Sequence, residues 1–71
     1  MAIMHPVVRR FARRLRQARE EAALTQTALA KRAKLAPPYL SQLEAGLREP
    51  SIVTVVALAK ALSVPVTALL E

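Results

Sequence analysis

The stretch TQTALAKRAKLAPPYLSQLEAG, from Thr25 to Gly46, constrains the fold most, because two helices and the turn between them have to fit inside it. Thr25 is suited to the N-cap of the first, since its hydroxyl can accept from the unpaired N–H groups of an opening turn, and Gln26 then begins the helix. Ala28, Leu29, Ala30 and Ala33 recur at about 3.6-residue spacing and make its inward face. Pro37 and Pro38 announce the second helix, because the N–H that proline lacks has no intrahelical partner in a first turn. Within it Leu40 and Leu43 share one face, while Pro38, Ser41, Gln42 and Ala45 share the other. Gly46 follows where a left-handed terminating residue is favoured. One face of the second helix is for packing and the other is free.

A chain of 71 residues has room for a single small domain, of a size that often depends on oligomerisation or on good helix packing. It has no cysteine, so neither a disulfide framework nor thiol chemistry is available. Its apolar residues are dispersed, with no run of about 18 to span a membrane, and MAIMHP lacks the pattern of a signal peptide. Residues 1–5 are expected to be a mobile tail, residues 6–71 the domain, and the location cytoplasmic. The net charge is +6, with eight arginines, three lysines and no aspartate, which points to an anionic partner, nucleic acid first. Phe11 and Tyr39 are the only aromatics, too few to stack single-stranded bases, so duplex DNA is favoured over RNA.

Around the central stretch the periodicity predicts three more helices. The first runs from about Pro6 to Ala22, with Val8, Phe11, Ala12, Leu15, Ala18 and Ala22 inward, and Arg9, Arg10, Arg13, Arg14 and Arg16 on an outer arc of roughly 160°. That arc is either a solvated face or an approach to phosphates; the apolar face is needed for the core and lacks the large aromatic anchors of an interfacial helix, which disfavours a membrane surface. Arg19 falls on the inward side between Val8 and Ala12, where a charge needs a partner. A fourth helix is expected over Ile52–Leu62 with Ser51 as its N-cap, and a last one from Pro65 to Leu70. Ile52, Val55, Leu58, Ala59 and Leu62 form the inward stripe of the fourth. Val53, Val56 and Ala57, with Ala68 on the fifth, are left over as an apolar patch that a self-complementary homodimer would cover.

The segments LRQAREEAALTQTALA, YLSQLEAGLREPS and IVTVVALAKALSVPVTALL together resemble the lambda-repressor, Cro and Xre-type helix-turn-helix regulators, over about Leu15 to Leu70. The resemblance implies an all-α, five-helix, lambda-repressor-like bundle. It further implies a sequence-specific transcription regulator that binds double-stranded DNA as a homodimer, on an inverted repeat, with the helix around Ala36–Ala45 in the major groove. By family position Pro37, Pro38, Ser41 and Gln42 are the base-contact candidates, and Gln42 can pair bidentately with adenine. Gln26, Thr27, Lys31, Lys34, Tyr39 and Arg48 are the phosphate-contact candidates, with Arg32 and the arginines of the first helix as further cations. The family sets an acidic residue late in the recognition helix against an inward arginine, which implies an Arg19–Glu44 ion pair. It usually has glycine where Ala23 and Lys34 stand, so left-handed conformations there would be strained. The small stand-alone members, such as controller proteins of restriction-modification systems, are the most similar in size.

No enzyme is expected: His5 lies in the tail, and the glutamates form neither a catalytic pair nor a metal-spaced set. No cofactor or metal is implied. The competing class is a protein-interaction module on the same fold, such as an antitoxin that covers a toxin with its helix 4 and 5 apolar surface.

Overall fold

The computed structural model describes residues 5–71, and residues 1–4, most of the expected tail, lie outside it. Among the described residues five helices follow in order, α1 (Pro6–Glu21), α2 (Gln26–Ala33), α3 (Pro37–Glu44), α4 (Ile52–Leu62) and α5 (Thr67–Leu70). The fold is all-α, the five-helix lambda-repressor-like bundle. None of the described helices is long and apolar enough to cross a membrane.

The helix starts follow from local chemistry. Thr25 Oγ1 accepts from Ala28 N–H at 3.0 Å and Ser51 Oγ from Thr54 N–H at 3.1 Å, each closing one orphan donor of its helix. His5 also caps: its Nδ1 accepts from Val7 N–H at 3.1 Å, so it belongs to α1 and not to a tail. The fifth helix begins two residues later than the proline signal placed it. Ala68 N–H donates to the Pro65 carbonyl and Leu69 N–H to that of Val66, both at 3.0 Å, so Pro65 opens a tight three-residue turn before the α-helical bonds begin.

The first four helices all end in the same way. The N–H of Leu24, Leu35, Leu47 and Val64 each reaches back five residues, to the carbonyls of Arg19, Ala30, Gln42 and Ala59 at 2.8–3.1 Å. This is the Schellman geometry, which requires a left-handed residue just before the returning donor. Those residues are Ala23, Lys34, Gly46 and Ser63, with φ of 59°, 59°, 74° and 57°. Only one of the four is glycine. A side chain in this region costs about 1 kcal/mol or more relative to glycine, and the packing of the bundle offsets that cost. Ala23→Gly, Lys34→Gly and Ser63→Gly are therefore expected to raise stability by roughly 0.5–1 kcal/mol each, measured by urea denaturation.

The core sits where all five helices meet. Phe11 and Leu15 of α1, Leu29 and Ala30 of α2, Leu40 and Leu43 of α3, Leu58 and Ala59 of α4, and Leu69 of α5 are almost wholly buried. The long α1 packs on α3 and α5, α2 on α3 and α4, and α5 on α4. Two positions expected to face inward do not. Ala22 is exposed because α1 has already ended and Ala22 is its C-cap. Ile52 is 80 % exposed, because it lies on the first turn of α4, at the edge of the stripe, beside an open groove shared with Val7 and Leu70. Thr54 is buried in that stripe instead, and its hydroxyl accepts from Ser51 Oγ at 3.0 Å, so the polar group is satisfied.

Candidate nucleic-acid interface

The free face of α3 is built by its buried one. Leu40 and Leu43 are fully buried and Glu44 nearly so, which leaves Pro37, Pro38, Ser41, Gln42 and Ala45 exposed together. The side chain of Glu44 is 2 % exposed and serves as the hub that orients the motif. Arg19 Nε donates to its Oε2 at 2.7 Å and Arg19 Nη2 to its Oε1 at 3.1 Å, a two-pronged guanidinium–carboxylate pair from α1 to α3. Gln26 Nε2 donates to the same Oε1 at 3.0 Å, which adds the first residue of α2. Arg19 Nη1 donates to the Leu24 carbonyl at 2.8 Å, holding the α1–α2 connection as well. Three helices and one turn thus converge on a single ion pair.

Hydrogen bonding of the Arg19 guanidinium to the Glu44 carboxylate raises the Arg19 pKa above its ordinary value, with the opposing effect of burial smaller. A raised folded-state pKa gives stabilisation that is complete below the unfolded arginine value and lost only as pH rises through the folded one. The guanidinium therefore stays charged across the neutral and mildly alkaline range.

The two short helices of the motif differ at their N-termini. Two prolines remove the first donors of α3, and Tyr39 N–H bonds to the Ala36 carbonyl at 3.0 Å, so this end has no array of free N–H groups for an anion. At α2 the cap bonds engage Ala28 and Leu29, which leaves the Gln26 and Thr27 N–H groups at an exposed helix start. Lys31, Arg32 and Lys34 are exposed farther along the same helix and its terminating turn. The five arginines of the outer arc of α1 are exposed as well.

Arg48 lies beyond the Gly46 turn and folds back onto α3. Its guanidinium carbon is 5.3 Å from the centroid of the Tyr39 ring, and its Nη1 donates to Gln42 Oε1 at 3.2 Å. Tyr39 is half-buried with its hydroxyl 3.5 Å from Thr54 Oγ1, turned toward α4.

The helix-turn-helix family pattern matches residues 15–69, most of the chain. The chain belongs to the helix-turn-helix family. Its class is that of DNA-binding transcription regulators. Among solved structures it is similar to the restriction-modification controller protein C.AhdI from Aeromonas hydrophila, with 32 % identity, a TM-score of 0.87, and coverage of 92 % of this chain and 98 % of that one. It is also similar to the clp gene regulator ClgR from C. glutamicum, with 29 % identity, a TM-score of 0.87, and coverage of 93 % and 86 %. No curated protein matches it.

In this helix-turn-helix protein the sequence-derived candidates fall into separate groups. Pro37, Pro38, Ser41 and Gln42 share the exposed face of α3, and Thr27, Lys31 and Lys34 are exposed around α2. Gln26 is half-buried with its amide committed to Glu44, so what it offers a phosphate is its backbone N–H and not a free side chain. Arg48 and Tyr39 stack on each other. On α4, Val53 is 74 % and Val56 38 % exposed, while Ala57 is half-buried. Ala68 lines a shallow depression against α1 with Ala18, Gln17 and Arg14. Sequence periodicity missed the links from Gln26 to Glu44 and from Arg48 to Gln42. Both depend on how the two turns fold the chain back, and no residue spacing announces that.

Proposed function

We propose that this protein is a homodimeric, sequence-specific regulator that sets the exposed face of α3 into the major groove of duplex DNA. The observation that carries the reading is the α3 face itself, a short row of small and polar side chains on a helix whose opposite face is locked to α1 and α2 through Glu44. Ser41 and Gln42 supply its hydrogen-bonding groups, and the rings of Pro37 and Pro38 can touch a thymine methyl or fill space. The α2 start, with Gln26 and Thr27 N–H, and the cations Lys31 and Lys34 would hold phosphates on the flank. Two copies would join through the exposed apolar residues at the start of α4, Ile52 and Val53, with Val56. A twofold pair of recognition helices reads an inverted repeat.

Selection from a pool of randomised duplexes at near-physiological salt tests this. The expected outcome is an enriched inverted repeat whose half-sites lie about 10 bp, or a multiple of that, apart. Binding without enrichment would remove sequence specificity, and a chain that stays monomeric and ignores duplex DNA would favour the interaction-module class, with α4 as its contact surface. On the selected site, affinity is expected to fall with salt along a log–log slope of about −5, as titration from 50 to 300 mM salt would show, because several phosphates are neutralised per dimer.

A further inference from the structure

Most of this protein's net charge lies where the α3 reading does not use it. Arg9, Arg10, Arg13, Arg14 and Arg16 are all exposed on the outer arc of α1. Without these five the chain holds six basic and five acidic residues, so its net charge falls from +6 to +1. Arg9 with Arg13, Arg10 with Arg14 and Arg13 with Arg16 stand three or four positions apart, where like charges repel and destabilise a helix. Among the described residues no carboxylate comes within ion-pair distance of the five, and none of them donates a side-chain hydrogen bond. Glu20 and Glu21 follow only in the last turn, and Glu21 accepts from Gln17 Nε2 at 3.4 Å. The arc also faces away from the free face of α3. The opposite stripe of α1 packs on α3 and α5, and α3 turns Leu40, Leu43 and Glu44 inward, with Glu44 held by Arg19 of α1. The free faces of the two helices are therefore on opposite sides of the pair. A packed helix pair is about 20 Å from one outer face to the other, roughly twice the screening length at ~0.15 M salt. The arc is thus remote from the phosphates beside α3.

We infer that the arginine arc of α1 is a second DNA-binding surface, which holds the backbone of another duplex while α3 occupies its own site, so that one dimer bridges two DNA segments. This rests on the reading that α3 lies in the major groove. Charge complementarity selects the occupant, because guanidinium forks match phosphate oxygens and stay charged. A protein interface is built around an apolar or aromatic core, and the arc exposes none between Arg9 and Arg16, where Phe11, Ala12 and Leu15 are buried. The same lack of an exposed apolar anchor argues against a membrane surface. Phosphate contacts carry no sequence information, so the second duplex needs no particular sequence.

In the test the duplex recovered by selection is immobilised, loaded with protein and washed, and a fluorescent duplex of unrelated sequence is passed over the complex. Loaded wild type is expected to retain the second duplex. The triple variant Arg9→Gln, Arg10→Gln, Arg13→Gln should retain it at least about tenfold more weakly, while its affinity for the selected site stays within about threefold of wild type and the salt slope on that site is unchanged. Glutamine preserves helix propensity, and circular dichroism confirms that the variant is folded. The inference is overturned if loaded wild type retains no second duplex or if the variant retains it equally well. It is also overturned if the variant loses affinity for the selected site to the same extent and flattens its salt slope, which would set the arc against the phosphates of that site. Retention of poly-glutamate or of phosphatidylglycerol vesicles, but not of duplex, would assign the arc to an acidic protein or a membrane and overturn it as well. A selection that enriches no site refutes the α3 reading itself, and the bridging that rests on it, before the second duplex is added.

Discussion

Replacing Glu44 with alanine is expected to lower stability by about 3 kcal/mol, and the melting temperature by more than about 10 °C for a domain of this size. The carboxylate accepts three hydrogen bonds, two from Arg19 and one from Gln26. Its loss strands a guanidinium whose side chain is only 13 % exposed. That residual exposure sets the effect at the lower end of what is observed when a buried pair loses one member, since Arg19 can recover some hydration. Glu44→Gln should fall between the two, at about 1–2 kcal/mol, because it keeps an acceptor but loses the charge. Arg19→Lys should also destabilise, as an ammonium cannot reproduce the two-pronged contact and reach the Leu24 carbonyl as well. Thermal and urea denaturation of the three variants decides the matter; a Glu44→Ala protein within about 0.5 kcal/mol of wild type would show that the pair is dispensable.

The double variant Ile52→Ser, Val53→Asn is expected to sediment as a monomer and to bind the inverted repeat at least about 100-fold more weakly than wild type. Both side chains project from the first turn of α4, 80 % and 74 % exposed, so their replacement should change the stability of the monomer by no more than about 0.5 kcal/mol. The substitutions are neutral and leave the net charge of the protein unaltered. The loss of affinity would come from joining: with two half-sites engaged together, the second docks at a high effective concentration, and a monomer forfeits that gain. Affinity for a single half-site should be almost unchanged. A wild-type protein that sediments as a monomer, or a double variant that stays dimeric, would place the self-association surface elsewhere.

How much of this was legible in the sequence differs between elements for physical reasons. The starts of α2, α3 and α4 could be read to the residue because their signals are local: a hydroxyl at Thr25 or Ser51, a ring at Pro37. Pro65 carries the same signal but opens a tight turn first, since α5 is only four residues long and its geometry is set by docking onto α1 and α4. Ile52 shows the limit of a helical wheel, which knows the angle of a side chain but not whether a neighbour extends far enough to cover it. The inward position of Arg19 signalled that it needs a partner, and it took the family resemblance to indicate which. Ala23 and Lys34 gave no sign of left-handed backbone in their own chemistry; only the glycines of relatives at those positions raised it. For Arg48 even that help was lacking, because its contact with Gln42 exists only once the Gly46 turn has reversed the chain.

The measurement that tests the central claim most directly exploits the lack of cysteine in this chain. Ser41→Cys gives a single thiol on the exposed face of α3, to which a short photoreactive probe can be attached and cross-linked to the selected duplex. If α3 lies in the major groove, the cross-links will map to base edges inside each half-site, symmetrically about the centre of the repeat. Cross-links confined to the sugar–phosphate backbone, or scattered along the duplex without regard to the repeat, would contradict the account.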